Sequence, residues 1–255
     1  MNPIYPDLKN KHILITGGSN GIGEALTRSF AAQTKEVTIL DQDYNKGLVI
    51  AKECEKYNCK VNVYCVDLTD TSALTSTLAQ IKKERPVVNV LINNAGYDPR
   101  YPLLEMSEQA WNDLFQLNVT HYFITCRELL PDMIDAGGGS IIMTSSHQVW
   151  VANPDLIAYN ATKAAIIGMV RSLAEAVGKH YIRVNAVAPG WIMTERQLNQ
   201  WVTPEAKYKT IHEQQSIPIE LTTNELVGTY LFLASDSSRA ITRQTIVVDA
   251  GHAQS

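Results

Sequence analysis

The chain is 255 residues long, 45% hydrophobic and 19% charged, too apolar for a disordered polymer and long enough to bury a sizeable core. Its 22 Lys and Arg against 26 Asp and Glu give a net charge of −4, which excludes the basic footprint that nucleic acids or anionic membrane surfaces demand. The first ten residues contain no apolar signal core, no run approaches the roughly 18 apolar residues of a membrane span, and Cys54, Cys59, Cys65 and Cys126 show no zinc-ligand spacing, so a cytoplasmic protein without a metal is expected.

Short β-branched runs alternate with longer helical patterns along the chain. Residues 12–16 predict a first strand, and the turn Thr16-Gly17-Gly18-Ser19-Asn20-Gly21-Ile22-Gly23 leads from it into a helix over 21–33. Such a turn lets the backbone approach a pyrophosphate resting on the helix N-terminus. Residues 36–40 predict a second strand ending at Asp41, 24 positions after Gly17. A carboxylate there accepts both adenosine-ribose hydroxyls and repels a 2′-phosphate. Neither the glycine turn nor the residues directly after Asp41 offer a Lys or Arg to that phosphate, so NAD is expected over NADP.

A helix over 44–57, a strand over 61–66 ending in Asp67-Leu68, a helix over 72–84 and a strand over 88–93 running into Asn93-Asn94-Ala95-Gly96 follow. Both strand ends lie where open α/β sheets bind their ligands. One long helix is predicted over 107–134, with Asn118 at its middle, where a polar amide is locally unfavourable. A fifth strand over 140–145 ends in Ser145-Ser146. The helix over 156–179 carries Tyr159 and Lys163 at i and i+4 on one face. A cation beside a phenol favours the phenolate and lowers its pKa, which makes a usable general acid or base. Tyr5 and Lys9 share that spacing but follow no strand and have no serine partner, so they serve as the chance control.

Strands over 182–186 and 245–248 and a helix over 224–235 complete an α/β architecture: a doubly wound, Rossmann-type seven-stranded parallel sheet with helices on both faces, in a single domain over 1–255. Residues 191–218 break the alternation. They are polar and carry Pro204, and a substrate-side lid is expected there.

Taken in order, Thr16–Gly23, Asp41, Asp67-Leu68, Asn93–Gly96, Asn118, Ser146, Tyr159/Lys163 and Pro189-Gly190 resemble the motifs of the short-chain dehydrogenase/reductase family over essentially the whole chain. Ser146, rather than Ser145, matches the family's serine because it lies thirteen positions before Tyr159. The resemblance implies catalysis by Asn118, Ser146, Tyr159 and Lys163, with Lys163 and Asn118 anchoring a proton-relay water. It implies dinucleotide binding by Gly17, Ser19, Asn20, Gly21, Ile22, Gly23, Asp41, Asp67, Leu68, Asn94, Ala95, Gly96, Tyr159, Lys163, Pro189, Gly190, Ile192 and Thr194. It also implies a homotetramer, formed partly through the helix over 156–179.

A narrower resemblance joins Asp98-x-Arg100, Asp155-Leu156-x-x-Tyr159, Thr194-x-Arg196-Gln197, Trp201-x-Thr203-Pro204-Glu205 and Val248-Asp249-Ala250-Gly251 to bacterial aldose 1-dehydrogenases, which oxidise an anomeric hydroxyl to a lactone. The sequence departs from them at His147-Gln148-Val149-Trp150, which is bulkier. Asp98, Arg100, Ser146, His147, Trp191 and Arg196 are the expected substrate residues, and a wall of polar and tryptophan side chains suits a small sugar or polyol better than an acyl chain or steroid. An NAD-dependent oxidoreductase acting on an aldose or another small polar alcohol is the expected function. A ketoreductase or dehydrogenase for an acyl or steroid-like carbonyl is the alternative, and a dinucleotide-sensing module without catalysis is the non-enzymatic one.

Overall fold

The central strands are largely apolar and buried along nearly their whole length because helices cover both of their faces. In the computed structural model, which describes residues 3–253, they are β1 (His12–Thr16), β2 (Glu36–Asp41), β3 (Lys60–Cys65), β4 (Val88–Asn93), β5 (Gly139–Thr144), β6 (Ile182–Pro189) and β7 (Thr245–Val248). Among the described residues they form one parallel sheet in the order β3-β2-β1-β4-β5-β6-β7. β6 runs three residues further than the apolar pattern suggests, because it pairs with β7 as far as Pro189, opposite Val248. A proline with no N–H to give is tolerated there, at the end of a strand.

Alternating side chains send the sheet's two faces into two cores. One holds Ile13 and Ile15 of β1 against α1 (Gly21–Ala31), α2 (Tyr44–Cys54) and α10 (Thr223–Ala234). The other holds Leu14 against α3 (Thr71–Glu84), α5 (His121–Asp135) and α7 (Ile157–Val177). Each fully buried Leu or Ile contributes roughly 1.5–3 kcal/mol.

The strand order reverses between β1 and β4, which opens a crevice above their carboxyl ends. The two turns that border it are stitched together. Asn94 donates its backbone N–H to Thr16 Oγ1 at 3.0 Å, and its side-chain amide donates to the carbonyls of Thr16 and Gly17 at 3.3 Å each.

Two elements depart from the sequence reading. The single helix expected over 107–134 is α4 (Glu108–Phe115) and α5, joined by a π-helical turn at Gln116–Thr120. The polar segment 191–218 is mostly helical: α8 (Glu195–Gln200), α9 (Pro204–Lys209) and a second π-turn at Thr210–Gln214. Thr194 caps α8 by accepting from the Gln197 amide, and Thr203 caps α9 ahead of Pro204 at its first position. The remaining short helix, α6 (Gln148–Val151), follows directly on the Ser146 strand end.

Candidate active site

A cleft of about 1530 Å³ runs along the carboxyl ends of the strands. Every residue named above for the cofactor, catalysis or substrate lines it except Ser19, Gly23 and Asn118, which lie just behind its wall.

At one end the chain is built to meet an anion. Helices α2, α3, α4, α8, α9 and α10 each have a side chain capping their first amides, but Asn20 makes no such bond to α1. The leading N–H groups of α1 are left for a ligand, where the helix dipole favours negative charge. Gly23 keeps the turn tight, since a Cβ there would lie 1.8 Å from the carbonyl oxygen of Gly17. Asp41 sits at the tip of β2, only 8% exposed, and accepts from the amides of Ser19 at 2.9 Å and Asp43 at 3.0 Å. These two bonds fix a carboxylate that still borders the cleft. Sequence reasoning missed one neighbour. Lys46, from the first turn of α2, reaches back to donate to Asn20 Oδ1 at 2.7 Å and pairs with Glu24 at 3.2 Å. Only the fold brings that cation to the glycine turn.

At the other end lie the four groups expected to carry chemistry. The π-turn sets Asn118 facing the Asn94–Gly96 turn, where its Oδ1 accepts from the Tyr97 amide and its Nδ2 donates to the Tyr97 carbonyl, both at 2.9 Å, and to Thr162 Oγ1 at 3.2 Å. His121 closes the same turn through Nδ1 to the Leu117 carbonyl at 2.6 Å. Asn118 is fully buried, so these partners commit its side chain to fixing the Gly96–Tyr97 backbone. A Cβ on Gly96 would lie 3.1 Å from Lys163 Nζ and 3.4 Å from Asn118 Oδ1. The turn, the lysine and the asparagine therefore converge on a space that only a glycine leaves open.

Two adjacent serines divide their work. Ser145 Oγ donates to the Lys163 carbonyl at 2.9 Å and braces α7 against β5. Ser146 borders the cleft together with Tyr159, and its hydroxyl takes the Gln148 amide at 3.2 Å. Lys163 is buried, donates Nζ to the Thr144 carbonyl at 2.9 Å, and lies 5.6 Å from the centre of the Tyr159 ring.

The electrostatics correct the expectation that Lys163 lowers the tyrosine. Loss of hydration, aided by the Asp98 carboxylate, pushes the Tyr159 hydroxyl above its ordinary value, against the pull of Ser146 and Arg196. Burial also brings Lys163 down to about 7, despite the opposing effect of Asp98. Desolvation outweighs the neighbouring charge at both groups. Tyr5 and Lys9, the control pair, lie outside the cleft.

Segment 191–218 is fastened to the Tyr97–Arg100 stretch at the mouth of the cleft. Asp98 accepts from Arg196 at 2.7 Å through one oxygen and from Gln197 at 2.7 Å through the other, and Gln197 in turn takes the indole N–H of Trp191 at 2.9 Å. Arg100 stacks over the Trp201 ring at 4.3 Å, and Arg196 lies over the Tyr97 ring at 5.3 Å. Three expected substrate residues, Asp98, Arg100 and Arg196, thus have partners within the chain. His147 is buried behind Ser146.

A family model described as "Enoyl-(Acyl carrier protein) reductase" matches residues 17–253. The chain is 38% identical over 251 residues to a Rhizobium meliloti (strain 1021) protein described as "Probable galactose dehydrogenase GalD", covering 97% of this chain and 96% of that one. The chain is a short-chain dehydrogenase/reductase. A D-xylose 1-dehydrogenase of Caulobacter vibrioides (strain NA1000 / CB15N) is 35% identical over 249 residues, covering 97% and 98% of the two chains. A crystal structure of 3-oxoacyl-[acyl-carrier protein] reductase from Brucella melitensis ATCC 23457 superposes with a TM-score of 0.90 at 29% identity, covering 100% of this chain and 97% of that one. Short-chain dehydrogenases/reductases are oxidoreductases of CH–OH groups that use a nicotinamide dinucleotide, and the residues here fit one. The uncapped α1 terminus suits the pyrophosphate, Asp41 the adenosine ribose, and the space beside Gly96 and Lys163 the nicotinamide riboside. Among the described residues no cluster of three His, Cys, Asp or Glu could hold a metal ion, and no helix is long and apolar enough to cross a membrane.

Proposed function

We propose that this short-chain dehydrogenase/reductase uses NAD to oxidise an aldose-type sugar at its anomeric carbon to the lactone, and acts as a cytoplasmic homotetramer. The observation that carries the reading is the meeting of Ser146 and Tyr159 in the cleft, in one wall with Asp98, Arg100, Gln197, Trp191 and Trp201. Such a wall offers polar groups to hydroxyls and indole faces to a sugar ring, which an acyl chain or steroid would not use. The relatives named for galactose and xylose oxidation support the same substrate class. Asp41 at the ribose end supports NAD, and the four unpaired cysteines suit the cytoplasm.

The division of labour follows from the geometry. Ser146 donates to the substrate oxygen and stabilises charge as it develops there. Oxidation needs the Tyr159 hydroxyl ionised, which burial and Asp98 oppose and Ser146 and Arg196 favour; once ionised, it takes the substrate's hydroxyl proton as the C–O bond gains double-bond character. Lys163 and Asn118 hold the floor and the Gly96 turn against which the cofactor rests. When bound, the nicotinamide accepts the hydride that leaves the same carbon.

Following NADH formation with aldoses, polyols, simple secondary alcohols and, in reverse, 3-oxoacyl thioesters tests this directly. Aldoses are expected to give the highest kcat/KM with NAD. Efficient turnover of acyl thioesters or steroids, with none of any sugar, would overturn the reading.

The lid ion pair gives a second expectation with opposite signs. Asp98 raises the Tyr159 hydroxyl and Arg196 lowers it, and oxidation needs that hydroxyl deprotonated. The rising limb of kcat against pH should therefore move to lower pH in Asp98→Asn and to higher pH in Arg196→Ala. Both variants also loosen the lid, so kcat/KM should fall by roughly tenfold on sugars and simple alcohols alike. Shifts of the same sign in the two variants would exclude coupling between lid and tyrosine.

A further inference from the structure

Beyond Ser146, the chain's C-terminal segment folds back onto the cleft in a way the reaction steps do not use. Asp249 follows β7 at 4% exposure and accepts from the amides of Gly251 at 2.9 Å and Ala253 at 2.6 Å, curling the tail into a tight turn. His147, the residue after Ser146, lies behind it at 2% exposure. Its backbone N–H donates to the Pro189 carbonyl at 3.0 Å, and its Nδ1 is 3.6 Å from Asp249 Oδ2.

On its other side His147 Nε2 is 3.3 Å from Gln148 Nε2, and Gln148 Oε1 accepts from the Asn153 amide at 3.3 Å. That second bond turns the amide's NH₂ toward the ring. His147 Nε2 faces that amide, and its Nδ1, buried without a hydrogen-bond partner, faces Asp249. The His252 ring packs edge-on against His147, 5.0 Å between centres. Both His147 and His252 line the cleft. The imidazole of His252 bonds to no described residue, and its Nδ1 is buried without a partner.

We propose that His252 is a specificity-determining residue that hydrogen-bonds a hydroxyl remote from the reacting carbon of a polyhydroxylated substrate, with Asp249 and His147 as the positioning residues that hold the tail against the cleft. The inference rests on the polyol reading above. A half-buried imidazole with unmet hydrogen-bonding capacity is costly unless a ligand completes it. The site is next door to Ser146, so a molecule whose oxygen sits on Ser146 presents its neighbouring atoms to this wall. The charges choose the partner's chemistry. Against the burial that would raise it, the nearby His147 and the bonds from the tail amides hold Asp249 at about 2, so the carboxylate persists at every working pH. Burial, reinforced by His147 and opposed by Asp249, lowers His252 below the usual histidine range. A neutral imidazole beside a carboxylate both donates and accepts, which suits a hydroxyl and disfavours phosphate or carboxylate substrates.

The test measures kcat and KM for D-galactose, D-xylose and cyclohexanol in the wild type, His252→Phe, His252→Gln and Asp249→Asn. His252→Phe keeps the ring and removes its hydrogen bonds. It should raise KM for the sugars with little change in kcat, and lower the sugar-to-cyclohexanol ratio of kcat/KM by about tenfold. His252→Gln, which restores a donor and an acceptor, should recover most of that ratio, and Asp249→Asn should lower it in the same direction. His252→Ala reads the same ratio should the phenylalanine prevent folding. A wild type that oxidises sugars while His252→Phe and His252→Ala leave the ratio unchanged would overturn the tail proposal alone. A wild type that oxidises cyclohexanol and no sugar would overturn the polyol reading, and the tail proposal with it.

Discussion

Tyr159→Phe is expected to lower kcat by at least ~10²-fold, and up to ~10⁴-fold, with any alcohol substrate, because general acid–base catalysis typically supplies that much. Phenylalanine keeps the ring that Lys163 approaches from 5.6 Å and removes only the hydroxyl. Cofactor affinity, measured by fluorescence titration with NADH, should therefore stay within a few-fold of the wild type. Losses in kcat and in cofactor binding of similar size would point to a damaged cleft rather than a missing base. Tyr5→Phe repeats the same chemical change outside the cleft and should leave kcat unaltered. Equal losses in the two variants would remove Tyr159 from the mechanism.

The second large effect lies at the other end of the cleft. Asp41→Ala deletes a carboxylate that borders the cofactor space, and with it the repulsion of a 2′-phosphate. A hydrogen bond to a charged group is worth about 1.5–3 kcal/mol, so kcat/KM for NAD should fall roughly 10- to 150-fold. Use of NADP should rise at the same time, because the cation of Lys46 already stands at the glycine turn, 2.7 Å from Asn20 Oδ1. The NAD-to-NADP preference should drop by about 10²-fold or more when both terms combine. Asp41 also holds the Ser19 and Asp43 amides, so some loss of stability accompanies the change and is read separately by thermal unfolding. A preference ratio unchanged in the variant would sink the assignment of Asp41.

Much of this architecture is legible in the sequence because it is local. The strands read as apolar runs since both faces are covered, and the glycine turn reads as a turn because backbone contact leaves no room for a Cβ at Gly23. The distinction between Ser145 and Ser146 is legible only by resemblance. The structure supplies its reason in the bond from Ser145 to the Lys163 carbonyl. Other features are not local and leave no periodic trace. The break at Gln116–Thr120 is hidden because its flanks keep the helical pattern on both sides. Lys46 belongs to a different helix from the turn it reaches, and His252 stands 105 positions after the His147 it packs against. The expected effect of Lys163 on Tyr159 fails for a related reason. Spacing along a helix gives proximity, but the water excluded from both groups is set by everything folded around them.

The π-turn at Gln116–Thr120 also bears on how the chain can change length. A π-turn holds one residue more than the α-helix around it would use. Removing that residue would let α4 and α5 join into an unbroken α-helix whose two halves keep the faces they now present, because the wider turn already absorbs the extra residue. Leu114 would stay inside, and what would be lost is the local widening that holds the Asn118 amide against the Tyr97 backbone. In the turn at 136–138, where a side chain on Gly137 would meet nothing within 4 Å, an added or lost residue has slack to dissipate into. Along this one helix the extra residue is a functional quantity: the packing of the two halves does not need it, and the placement of Asn118 does.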